Sequence, residues 1–162
     1  MTNSNRVSLR EAIQWGLLAG LAGGLAEVAW IWLYGVVSGT DPELVAWGVS
    51  VAAGVGDTAA PLTTGVAIHM ALAAALGIAL TVALRPLFTH FRGNLGLYAS
   101  VIAALVAVWA VNFFAVLPRL SPAFLELLPY QVGLLSKILF GLAAARVLGA
   151  FRMRIRPLAI KD

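Results

Sequence analysis

The chain contains no cysteine. That absence excludes a structural disulfide, a thiolate metal site and a dithiol redox relay, and with the relay go the quinone-linked disulfide-forming enzymes. Charge is scarce as well: 11% of the 162 residues are Asp, Glu, Lys or Arg, where soluble domains average roughly a quarter. Histidine occurs only at His69 and His90. A haem held between two histidines needs both at membrane depth, and His90 falls in a connecting loop, so haem is not expected. A metal would have Glu27, His69 and Asn112 as ligands, with no thiolate and with Lys137 opposing it; no metal and no cofactor are expected. No nucleophile stands at a recognisable spacing from a base and an orienting acid, so no catalytic residue is assigned and the chain reads as a non-enzyme.

Apolar residues are what the chain has in abundance, 61% of the total with a mean hydropathy of +0.93. A soluble fold of this size could not hide that much apolar surface, so lipid is the expected solvent. Four stretches, about 12–37, 62–84, 95–117 and 128–149, each approach the roughly 20 residues a helix needs to cross a bilayer. The first is too long for the hydrophobic region of a signal peptide and reads as a retained span. The expected fold is an all-α membrane protein, a four-transmembrane-helix bundle occupying residues 1–162 as one integral membrane domain.

Two shorter segments, about 42–56 and 122–127, lie between the first and second and between the third and fourth spans. Thr40-Asp41-Pro42-Glu43 is a helix-start signal, a capping side chain ahead of a proline at the first helical position. The apolar run after it is too short to span, so both segments read as short outer interfacial helices.

Basic residues mark one side. Arg6 and Arg10 precede the first span, Arg85 and Arg92 separate the second from the third, and Arg146, Arg152, Arg154, Arg156 and Lys161 end the chain. The other connections hold Arg119 beside Asp41, Glu43, Asp57 and Glu126. The positive-inside rule then puts both termini in the cytoplasm and the protein in a cell inner membrane. Trp15 and Tyr98 fall near the inner boundary, and Trp30, Trp32, Tyr34, Trp47 and Tyr130 near the outer one, as aromatic belts require. The basic tail suits anionic lipid headgroups; because it already has a topological explanation, nucleic acid is not an expected partner.

Self-similarity suggests a duplication. Sliding Gly16 onto Gly96 brings Gly20 and Gly24 onto Ser100 and Ala104, and Asp41-Pro42 onto Ser121-Pro122. Sliding Pro61 onto Pro129 brings Gly65, His69 and Ala73 onto Gly133, Lys137 and Gly141. The expectation is two parallel helical hairpins related by an axis along the membrane normal.

Each span carries one conspicuous polar residue: Glu27, His69, Asn112 and Lys137. All lie within about 9 Å of the span midpoints, on the outer side. Charge at that depth costs roughly 2.5–3.5 kcal/mol on insertion scales, so each asks for a reason. Glu27 continues the face of Gly16, Gly20 and Gly24; His69 stands between Gly65 and Ala73, and Lys137 between Gly133 and Gly141. Such small-residue ridges are where helices approach closely, so these glycines are expected to be packing positions and the three polar residues to face the bundle interior. The face of Asn112 holds Leu105, Val108 and Trp109, and its direction stays open. Two readings follow. In one, Glu27 neutralises Lys137 while His69 and Asn112 complete a site for protons or a small solute. In the other, the charges are a buried ion pair that sets helix register.

The Gly-x-x-x-Gly first span, the histidine of the second and the turn Leu117-Pro118-Arg119-Leu120-Ser121-Pro122 resemble small uncharacterised bacterial inner-membrane proteins of the YagU kind. That resemblance implies a multi-pass membrane protein. The functional expectation is a non-enzymatic bundle, alone, as a homo-oligomer or as an accessory subunit of a larger membrane complex. The alternative is a small transporter or proton-coupled permease working at Glu27, His69 and Lys137.

Overall fold

The computed structural model describes residues 8–88 and 94–155. Arg6, His90, Arg92, Arg156 and Lys161 lie outside the described residues, as does the side chain of Arg154. The described chain is all-helical: α1 (Leu9–Ser38), α2 (Pro42–Ala52), α3 (Pro61–Leu84), α4 (Asn94–Val111), α5 (Leu117–Leu120), α6 (Pro122–Leu127) and α7 (Tyr130–Ile155). A single 3-10 turn, Arg85–Leu87, ends α3, and a π-helical segment, Asn112–Val116, joins α4 to α5. Four helices, Leu9–Ser38, Pro61–Leu87, Asn94–Leu120 and Tyr130–Met153, are long and apolar enough to cross a membrane. The chain is thus a four-helix bundle suited to a multi-pass membrane protein.

Local chemistry sets the helix ends. Ser8 and Glu11 form a reciprocal capping box, the Ser8 hydroxyl accepting from the Glu11 N–H at 3.2 Å and the Glu11 carboxylate from the Ser8 N–H at 3.1 Å. At its other end α1 stops at Gly39, whose φ of 73° only glycine adopts cheaply, with its N–H on the Gly35 carbonyl at 2.9 Å. Asp41 then accepts from the Glu43 N–H at 2.9 Å and Pro42 opens α2. In the π segment the Leu117 N–H bonds Asn112, one residue beyond the α-helical register, just ahead of Pro118, which has no N–H to give.

The long helices are ordered α3, α1, α7, α4. Helix α1 packs along both α3 and α7, and α4 along α7, whereas α3 and α4 share no comparable interface. The α1–α3 seam is backbone against backbone: a Cβ on Gly16 would come within 2.7 Å of the Ile78 Cα, and one on Gly20 would land on the Ala73 carbonyl. Toward α7, Gly23 accepts the flat of the Phe140 ring, and Trp30 Nε1 donates to the Val132 carbonyl at 3.1 Å. Phe140, Leu97, Val101, Leu105, Leu148 and Phe151 fill the half of the bundle away from α2 and α6. At the α2 and α6 end the core is a small cluster of Val45, Phe113, Phe124 and Leu128.

This packing departs from the two-fold pair of hairpins. Under that symmetry α4 would meet α3 as α1 meets α7, and it does not. The reason lies in which face each helix buries. The glycine ridge of α1 is its packed face, but its aligned counterpart Gly96 is exposed, and α4 instead buries Leu97, Val101 and Leu105. Helix α4 thus packs on α7 through its bulky face and makes no comparable interface with α3.

Candidate functional site

Three helices bring the charged cluster together. Glu27 sits on α1 one ridge position beyond Gly24, where the close seam with α3 presents His69 and the Phe140-filled seam with α7 presents Lys137. Its side chain is 3% exposed and it is not alone. Lys137 Nζ donates to Glu27 Oε1 at 2.6 Å and to Oε2 at 2.9 Å. Ser136 Oγ donates to Oε1 at 3.0 Å while also facing the Gly133 carbonyl at 2.8 Å. His69 Nε2 lies 3.5 Å from Oε2 and has no hydrogen bond of its own. The ammonium also stands 5.8 Å from the centre of the Phe140 ring, within reach of its negative face.

Three of the roughly four lone-pair sites of the carboxylate are thus occupied, and the remaining one on Oε2 faces His69. The pair contributes no net charge, which removes the largest cost of placing either ion in a medium of low dielectric constant.

The sequence-derived residues divide accordingly. Glu27, His69 and Lys137 meet; Asn112 does not join their hydrogen bonding and stands across a cavity from them, at the start of the π segment. It stands one α-helical turn beyond Val108, which lines the same cavity. Among the glycines, Gly16, Gly20 and Gly24 meet α3. Gly65 meets the Ala46 backbone of α2 rather than another span, Gly133 meets the Phe113 ring, and Gly141 meets Ile102 and Leu105. Ser136 escaped the sequence reading, although it stands three residues from Gly133 and so shares the face of Lys137. Gly23 escaped as well, because the ridge Gly16, Gly20, Gly24 had already been assigned.

The gap between α3 and α4 is a cavity of about 560 Å³. Ile31, Val45, Leu72, Val108, Phe113 and Phe124 are among its walls, and Glu27, His69, Asn112, Ser136 and Lys137 supply the polar side chains. Helix α2 and α6 bound it at one end, and Phe140 and Leu76 border the packed half of the bundle at the other. Its size lies inside the range of roughly 300–1,000 Å³ typical of small-ligand sites, which are likewise apolar with a few placed polar groups. No protein-family model, curated protein or solved structure matches the chain, so a functional reading rests on this geometry.

Proposed function

We propose that this is a non-enzymatic inner-membrane protein that holds a small, mainly apolar molecule taken from the bilayer between α3 and α4. The observation that carries the reading is the cavity on the side where the bundle fails to close, with a neutral polar cluster on one wall. Volume argues against a further helix of a partner subunit as the occupant. A helix about 10 Å across, rising 1.5 Å per residue, needs roughly 2,400 Å³ for one span, more than the cavity encloses. Tight packing of Phe140, Leu105 and Leu148 beyond the cavity favours holding a ligand over a continuous path for one.

A photoactivatable fatty alcohol with a chain diazirine tests this. In nanodiscs it is expected to label peptides containing Val45 and Phe113, cavity residues with almost no outward surface, and Val108→Phe, which fills the cavity from α4, is expected to reduce labelling at Val45 at least about fivefold. Labelling confined to outward-facing residues such as Leu25 and Leu95, unchanged by Val108→Phe, would sink the proposal.

The orientation belongs to the same proposal: both termini cytoplasmic, with α2 and α6 outside. Reporter fusions after Lys161 and within Asp41–Asp57 are expected to report opposite compartments. Finding both on one side would reverse or break the topology.

A further inference from the structure

We infer that the ligand carries an uncharged hydrogen-bond-accepting oxygen, a hydroxyl or carbonyl, on its apolar body, and that this group is received by Lys137. The inference rests on the cavity reading above and deepens it by naming the ligand's chemistry.

Donors and acceptors in the cluster are unequal. Glu27 is 2% exposed, and its two oxygens already receive Lys137 twice and Ser136 once, with His69 Nε2 at 3.5 Å. Its side chain, 3% exposed, has almost no surface on which to receive a newcomer. Lys137 has three N–H donors and spends two on Glu27. Its side chain and that of His69 keep 17% and 26% of their surface, and both border the cavity. What the wall presents is therefore the third N–H of Lys137, with His69 beside it on the same wall. On the facing wall Asn112 offers an amide that can give or accept.

Charge narrows the class. A cationic head would have to take Glu27 from Lys137 and strand the ammonium at membrane depth. An anionic head would leave the neutral Glu27–Lys137 pair with one uncompensated negative charge in a medium of low dielectric constant. An uncharged oxygen takes the spare N–H at neither cost. The remaining walls, Ile31, Leu72, Val108 and Phe124 among them, then cover the aliphatic part.

Competition against the photoactivatable alcohol in nanodiscs reads this directly, using dodecanol, dodecanamide, laurate, dodecyltrimethylammonium and dodecane, matched in chain length. Dodecanol and dodecanamide are expected to displace the Val45 label at concentrations at least about tenfold below the other three, the worth of one well-made hydrogen bond. In the double variant Glu27→Gln/Lys137→Met that preference is expected to shrink to within about twofold while dodecane still competes, which separates lost head recognition from lost folding. Equal competition by all five compounds, or tighter binding of laurate or of the quaternary ammonium, overturns the inference and leaves the cavity reading standing. Absence of cavity labelling by any probe overturns both.

Discussion

Glu27→Gln and Lys137→Met will each lower the stability of the detergent-solubilised protein by about 3–5 kcal/mol, and the double substitution will recover most of that loss. The size follows from burial and geometry together. Lys137 Nζ makes two short contacts to a carboxylate whose side chain is 3% exposed, at 2.6 and 2.9 Å. Removing Lys137 leaves that carboxylate with only Ser136 and His69 facing it, neither of which supplies a fixed positive charge. Removing the charge of Glu27 leaves an ammonium against the Phe140 ring, where a cation–π contact of about 1–2 kcal/mol is a poor replacement for an ion pair. In the double variant neither charge is stranded, and Met fills the space of the lysine stem with an unbranched apolar chain. Reversible unfolding of the four proteins measures the coupling. A value no larger than about 0.5 kcal/mol would show that the two residues act independently and would remove the pair from the site.

Hydropathy made the spans legible because membrane helices must satisfy their backbone internally and present apolar side chains to lipid, a demand written into every residue of the segment. Helix-start signals at Asp41-Pro42 and Ser121-Pro122 were legible for a similar reason: they act over three or four residues, and the sequence shows all of them at once. Glu27, His69 and Lys137 could be read because each sits in register with small residues, so depth and direction were both encoded locally. Asn112 could not be placed the same way. Its face holds Leu105, Val108 and Trp109 rather than a ridge of small residues, so its depth was legible and its direction was not.

Helix order was the part least available. Similar small-residue series in the first and third spans suggested equivalent roles, but a small residue serves equally for close packing or for an outward face. Only the buried Leu97, Val101 and Leu105 decide that α4 uses its large face against α7. The cavity follows from that choice. It is a property of which pair of helices fails to meet, and no local pattern records it.

Gly20→Ala will destabilise the bundle by about 3 kcal/mol or more, an unusually large penalty for adding one methyl group. In an isolated helix the same change would add roughly 1 kcal/mol of stability, since glycine gives up more backbone freedom on ordering. Here the added Cβ would fall on the Ala73 carbonyl and within 2.9 Å of the Ala74 Cα. Both are backbone atoms of α3, which cannot rotate aside as a side chain can. Helix α1 would have to draw back from α3 along the whole seam, losing the contacts of Gly16 with Ile78 and of Gly24 with Ala73 together. Glu27 stands one turn beyond Gly24, so the retreat would also lengthen its approach to His69, now 3.5 Å. Gly149→Ala in α7 is the control: a Cβ there meets nothing within 4 Å, and the expected change is a gain of up to about 1 kcal/mol. Thermal unfolding of both variants in one detergent separates them. If Gly20→Ala is as harmless as Gly149→Ala, α1 and α3 do not touch backbone to backbone, and the seam that holds Glu27 against His69 is not the one described.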